Sequence, residues 1–201
     1  MKNSTHSLKV ELVSSTMITR LSRKLAHKIQ DSGFNPDIVI CIARGGYIPA
    51  RLICDYLNIY NLYSINIRHY TGSDKSETAR LHAPLSIDIQ GMKILLVDDI
   101  DDTGDTLQLA QDYLNGLNPK EIKVAVLHHK VISSLVPDYF AQKIIRWRWI
   151  TYPWAIVEDV LGFVNKMQPQ PSTIEQAIER TAQDYGIKIS KQVMEDVFRL
   201  L

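Results

Sequence analysis

The sequence predicts a doubly wound α/β fold: a mostly parallel sheet with flanking helices. Three observations carry this expectation. The short runs Ile38–Ala43, Ile94–Val97 and Val124–Leu127 are wholly apolar, the pattern of strands buried on both faces. Segments with helical spacing alternate with them. The polar clusters Arg44-Gly45-Gly46, Asp98 to Thr106 and Lys130 each follow such a run, and open α/β sheets bind ligands at the carboxyl ends of their strands.

In chain order, Ile18, Leu21, Leu25 and Ile29 keep helical spacing behind the candidate caps Ser15 and Thr16, and that helix stops near Gly33. Asp37 to Ala43 is the first core strand, and the Arg44-Gly45-Gly46 turn leads into a helix from about Pro49 to Leu57. Leu62 to His69 alternates as a strand. Tyr70 to Pro84 is polar and rich in Ser and Thr, with Lys75, Arg80 and His82, and reads as a long mobile loop of a functional kind. Ile94–Val97 runs directly into the acidic segment, which is followed by a helix carrying Leu107, Ala110 and Leu114 and broken at Gly116 and Pro119. Val124–Leu127 ends at His128, His129 and Lys130. The region from Val136 to Trp154 is aromatic and holds all three tryptophans. Beyond Gly162 the composition shifts. Gln168-Pro-Gln-Pro171 reads as a linker, Ser172-Thr-Ile-Glu175 as a capping box that opens a helix, and about Ser190 to Leu201 as a last short helix. The expected division is a core with a small hood over residues 1–162 and a helical C-terminal extension over 163–201.

Composition narrows the function classes. The chain has 201 residues, 45% of them hydrophobic and 22% charged, enough for one domain or one with an appendage. Its 23 basic and 22 acidic residues leave a net charge of +1, which offers no footprint for nucleic acid or an anionic membrane. The longest apolar run, Ile38–Ala43, is far too short to span a bilayer. The opening residues lack the apolar stretch of a secretory signal. Cys41 and Cys54 read as buried thiols of a reducing compartment, and the expected location is the cytoplasm.

The acidic segment is the most informative part. Asp98, Asp99, Asp101, Asp102 and Asp105 fall within nine residues, with Thr103, Gly104 and Thr106 among them, at the start of a helix. Backbone N–H groups and threonine hydroxyls there favour a phosphate. The carboxylates would repel it unless they point elsewhere or hold Mg2+. A strand-end aspartate pair suits a hydrated divalent ion or ribose hydroxyls. The combination suggests a sugar phosphate carried with magnesium.

Ile94 to Thr106 resembles the phosphoribosyl-diphosphate (PRPP) signature of type I phosphoribosyltransferases. The resemblance implies that Asp98 and Asp99 handle the ribose hydroxyls and Mg2+. It makes Asp102 the acceptor of the purine ring proton, and wraps Asp102, Thr103, Gly104, Asp105 and Thr106 around the 5′-phosphate. Ile42-Ala-Arg-Gly-Gly46 is similar to the family's pyrophosphate loop, with the Arg44 guanidinium and the Gly45 backbone on the diphosphate. Lys130 matches the lysine that 6-oxopurine enzymes aim at O6. Trp149-Ile150, followed by Pro153-Trp154, is similar to the hood of bacterial xanthine-guanine and archaeal hypoxanthine-guanine enzymes, where Trp149 would stack on the base and the Ile150 backbone would read its edge.

The implied activity is purine salvage: Mg2+-dependent transfer of ribose 5-phosphate from PRPP to hypoxanthine, guanine or xanthine, giving the nucleoside 5′-monophosphate and diphosphate. The implied assembly is a homodimer. Arg68, Lys75 or Arg80 would reach the diphosphate when the 70–84 loop closes. The resemblance spans roughly residues 15–160; it leaves the extension, His128 and His129 without a role. Two other readings compete. Asp99-Ile-Asp-Asp-Thr103 fits the D-x-D-x-T of haloacid-dehalogenase-type phosphatases, with Glu158-Asp159 as the only second acidic motif in range. A non-catalytic PRPP or nucleotide sensor with the same fold could use the extension as a partner surface.

Overall fold

The computed structural model describes residues 8–71 and 77–201. The chain divides into two compact units: Thr16–Arg146, and the terminal stretches Met1–Ser15 with Trp147–Leu201. In chain order the elements are β1 (Val10–Leu12), α1 (Ser15–Asp31), β2 (Ile38–Ala43), α2 (Tyr47–Leu57), β3 (Leu62–Thr71), β4 (Glu77–Ala83), β5 (Lys93–Asp101), α3 (Asp105–Asn115), β6 (Glu121–Lys130), β7 (Tyr139–Ile144), β8 (Trp149–Thr151), α4 (Ile156–Lys166), α5 (Ile174–Tyr185) and α6 (Lys191–Phe198).

The larger unit is built on a six-stranded sheet in the order β4-β3-β2-β5-β6-β7, parallel throughout except for the β3–β4 hairpin. Because side chains alternate across a strand, Ile38, Ile40, Ile42, Ile94, Leu96, Val124 and Val126 share one face, where Leu107, Ala110 and Leu114 of α3 cover them. The intervening Val39, Cys41, Leu95, Val97, Ala125 and Leu127 are equally buried on the other face. Strands closed on both sides in this way must be apolar runs, which is why the sequence betrayed them. From β2 the chain winds outward to β3, and from the adjacent β5 it winds the opposite way to β6. The carboxyl ends of β2 and β5 therefore flank a topological switch point, the place where such sheets bind ligands.

The structure corrects several expectations. Among the described residues of the polar 70–84 stretch the expected loop is largely strand: β3 runs on to Thr71 and pairs antiparallel with β4, with Arg68 opposite Arg80. Ala79 and Leu81 pack on the core while Arg80 and His82 face solvent, so a half-buried strand hid behind its polar face. Lys75 lies outside the described residues. β5 does not end at Val97 but continues through Asp98 to Asp101, paired with β6 as far as His129.

The second unit pairs β1 with β8 in parallel, Val10 opposite Trp149 and Leu12 opposite Thr151. Helices α4, α5 and α6 share one apolar cluster that includes Val160, Phe163, Val164, Ala177, Met194 and Val197. Gly162 and the 162/163 boundary fall inside α4. The capping box sits one residue later than expected: Thr173 caps α5 by accepting from the Gln176 N–H, and Gln176 Oε1 in turn accepts from Ser172. Ser190 caps α6 by accepting from the Val193 N–H.

Candidate active site

The carboxyl ends of β2, β5 and β6 supply the polar groups of the larger unit. After β2 the chain turns through Arg44, Gly45 and Gly46, and the Ala43–Arg44 peptide is cis. Both glycines are required by close approach. A Cβ on Gly45 would lie 2.5–2.6 Å from the Asp99 carboxylate, and one on Gly46 would lie 2.5 Å from the Val97 carbonyl oxygen. The loop backbone is thus pressed directly against the acids at the end of β5.

Asp98 and Asp99 are 8% and 9% exposed. Asp98 Oδ1 accepts from the Asp99 N–H at 2.9 Å. Burial, the neighbouring Asp99 carboxylate and, to a smaller extent, Asp101 hold the Asp98 carboxyl well above the usual carboxylate range. Two adjacent hard oxygen donors taken out of water, one of them reluctant to ionise, fit a divalent cation as counter-charge. Among the described residues no group of three His, Cys, Asp or Glu side chains could cage a metal. Mg2+ is a cation that takes one or two carboxylates and completes its shell with water and substrate phosphates.

Beyond Asp101 the chain breaks from the sheet. Gly104, at φ +95°, precedes the first turn of α3 and has no side chain to cap it; the Asp105 N–H points to Thr103 Oγ1 at a long 3.5 Å. Helix starts leave N–H groups without intrahelical partners and attract anions. Thr103 Oγ1 donates to Asp105 Oδ2 at 2.9 Å, so Asp105 is turned onto its own loop. Lys130, buried at the end of β6, donates from Nζ to Asp102 Oδ2 at 2.7 Å; the two side chains are 3% and 39% exposed.

Of the five acids, Asp101 departs from the cluster. It is 1% exposed and faces His129, directly opposite it in the β5–β6 register, with the His129 Nδ1 at 2.6 Å. This gives His129 a place that sequence reasoning lacked. The signal that could have found it is the register itself: the offset that sets Asp98 opposite Val126 also sets Asp101 opposite His129 and brings Asp102 to Lys130.

The structure thus assembles Arg44, Gly45, Asp98, Asp99, Asp102, Thr103, Gly104, Asp105, Thr106 and Lys130 on the loops and strand ends of one unit. Trp149 and Ile150 belong to the other. There the Trp149 ring is half exposed, meets Phe163 edge-on at 6.5 Å and hydrogen-bonds Asp159, while Ile150 is buried. Burial pushes the Asp159 carboxyl up and the Trp149 hydrogen bond pulls against it. Trp154 stacks on Tyr152 at 4.8 Å. Arg68 Nε donates to Asn66 Oδ1. Asp159 and Glu158 lie in the first turn of α4, so the phosphatase reading finds its second acidic motif already tied to a tryptophan.

Known proteins agree with this geometry. The model of the phosphoribosyl transferase domain matches residues 11–159. A xanthine-guanine phosphoribosyltransferase of Nitratidesulfovibrio vulgaris (strain Hildenborough) is 30% identical over 135 residues, 67% of this chain and 77% of that protein. One of Chromohalobacter salexigens is 30% identical over 142 residues, 71% of this chain and 82% of that protein. The crystal structure of a purine phosphoribosyltransferase from Pyrococcus horikoshii Ot3 superposes with a TM-score of 0.65 at 32% identity, covering 73% of this chain and 94% of that one. With the match running from β1 to α4 across every loop of the switch point, the chain belongs to the phosphoribosyltransferase family.

Proposed function

We propose that this protein transfers ribose 5-phosphate from PRPP to a 6-oxopurine. The observation that carries the substrate class is the Lys130–Asp102 pair, an ammonium donor and a carboxylate acceptor 2.7 Å apart beside the start of α3. A 6-oxopurine carries the matching pair on one edge, a carbonyl oxygen next to a ring N–H. An ammonium only donates, so it suits the oxo group and not the amino group of adenine.

In this reading the 5′-phosphate occupies the Thr103–Thr106 loop and the start of α3, and Arg44 with the Gly45 backbone holds the diphosphate. Asp98 and Asp99 would hold Mg2+, which when bound neutralises charge on the diphosphate. A purine ring nitrogen forms the bond to C1′ as the C1′–O bond to diphosphate breaks; diphosphate leaves with the bonding electron pair and the purine proton passes to Asp102. Positive charge gathers on the ribose in the transition state, so fixed carboxylates and the cationic diphosphate cradle act electrostatically. Asp102 is a general base already in hydrogen-bond register with the group that orients the purine. Trp149 offers an aromatic face of the kind on which bases stack.

Buried free thiols at Cys41 and Cys54 suit a reducing compartment, and no helix among the described residues is long and apolar enough to cross a membrane. The test is incubation with PRPP, Mg2+ and, in turn, hypoxanthine, guanine, xanthine, adenine, uracil and orotate. Diphosphate release with the 6-oxopurines alone is the expected result. PRPP binding without release with any base would favour the sensor reading instead.

A further inference from the structure

Asp101 is an unusual residue for its place. It sits inside the sheet at 1% exposure, and a carboxylate held out of water is tolerated only when it is paired and hydrogen-bonded. Each of its oxygens has its own partner. Oδ2 lies 2.6 Å from His129 Nδ1, and Oδ1 accepts from Ser133 Oγ at 2.7 Å. His129 is 4% exposed and rests against the Phe140 ring, at 5.2 Å between centroids.

Ser133 belongs to the turn that leaves β6. Its N–H donates to the Lys130 carbonyl at 3.0 Å, and its hydroxyl also accepts from the Leu135 N–H at 3.2 Å. The next residue, Ser134, spends both its donors on one atom: its N–H and its hydroxyl reach the Thr103 carbonyl at 3.0 and 2.9 Å. Leu135 then packs against the core of the sheet. This turn lies directly under Gly104, where an added Cβ would come within 2.8 Å of Ser134 Oγ, 3.0 Å of Ser133 Oγ and 3.1 Å of Leu135 Cβ. The 103–104 backbone therefore rests on the 133–135 turn, and that turn is fixed to Asp101.

We infer that Asp101 and His129, buried, and Ser133, half-buried, form a strut whose task is to position the Thr103–Gly104 segment for the phosphate of PRPP. They are positioning residues and touch no substrate. The inference rests on the reading of that loop as the phosphate cradle. It also explains why an acid is tolerated beside an anion site: the Asp101 charge is turned away and compensated from within the sheet.

The test is steady-state kinetics with PRPP and the preferred 6-oxopurine varied separately, on the full chain, with thermal unfolding as a check of folding. Ser133→Ala removes the hydroxyl bridge, and the expected result is a PRPP KM raised tenfold or more with the base KM moved less than twofold. Ser133→Thr, which keeps a hydroxyl, should recover most of the loss. Ser134→Ala, which keeps the backbone bond to Thr103, should raise the PRPP KM by a smaller factor and serves if Ser133→Ala does not fold. An unchanged PRPP KM in a folded Ser133→Ala or Ser134→Ala protein, or equal rises for PRPP and base, overturns the strut. Wild type that fails to bind PRPP in calorimetry overturns the reading of the loop, and the strut with it. Wild type that binds PRPP beside an unaffected variant overturns the strut alone.

Discussion

Replacing Lys130 by Met separates the recognition of the base from the integrity of the fold. The side chain is 3% exposed, and Met fills most of the volume of its methylene stem without an ammonium. Its partner Asp102 is 39% exposed, so the abandoned carboxylate can be solvated, and the variant should remain folded. An ammonium carries three protons and Asp102 takes one at 2.7 Å, so the same group can address a purine oxygen without releasing its partner. A hydrogen bond to a charged group contributes about 1.5–3 kcal/mol. At ~1.4 kcal/mol per tenfold, its loss lowers kcat/KM for the 6-oxopurine by about 10- to 150-fold. Adenine presents an amino group that gains nothing from an ammonium, so whatever background release it supports should not fall. The assay is diphosphate release with hypoxanthine and with adenine in both proteins. A loss of equal size for the two bases, or no loss for hypoxanthine, would refute the assignment of Lys130 to O6.

Asp102→Asn keeps an oxygen to accept from Lys130 but cannot take a proton, so turnover should fall at least tenfold while calorimetry finds PRPP affinity within about threefold; equal turnover removes Asp102 as the base. The Asp98 carboxyl, held well above the usual range by burial and by Asp99, binds its proton more tightly in the folded chain than in the unfolded one. Its contribution to stability is therefore complete below the ordinary carboxylate pKa of about 3.9 and is lost as pH rises through the raised value. Denaturant unfolding of the ligand-free wild type and of Asp98→Asn should show the variant gaining relative stability with rising pH, and a constant difference would contradict this. Burial, with Asp98 adding to it, pushes the Cys41 thiol up to about 12, and burial pushes Cys54 to about 11. Mass spectrometry after iodoacetamide at pH 8 should find both unmodified in the native protein and both labelled in denaturant; rapid native labelling would refute their burial.

The elements that the sequence made legible are those whose environment is uniform. β2, apolar on both faces, lies where its run of Ile and Val placed it, and α1 follows the spacing of Ile18, Leu21, Leu25 and Ile29. β4 was hidden because, among its described side chains, Ala79 and Leu81 pack on the core while the alternating Arg80 and His82 face water. β1 and β8 are three residues each, too short for any period to declare itself. The motif residues of the site were visible as chemistry, but their partnerships were not. Aligning the two apolar runs end to end sets Ile94 opposite Val124, whereas the register sets Ile94 opposite Ile122. Only the true offset carries Asp101 to His129 and Asp102 to Lys130, so the Asp101 strut could not be read without the sheet.

The central claim is group transfer from PRPP to a purine, and product stoichiometry tests it most directly. Wild-type protein, PRPP, Mg2+ and guanine, hypoxanthine or xanthine should yield one nucleoside 5′-monophosphate per diphosphate, resolved by chromatography and mass. Diphosphate without nucleotide, or PRPP and purine recovered intact with the protein folded, would contradict it.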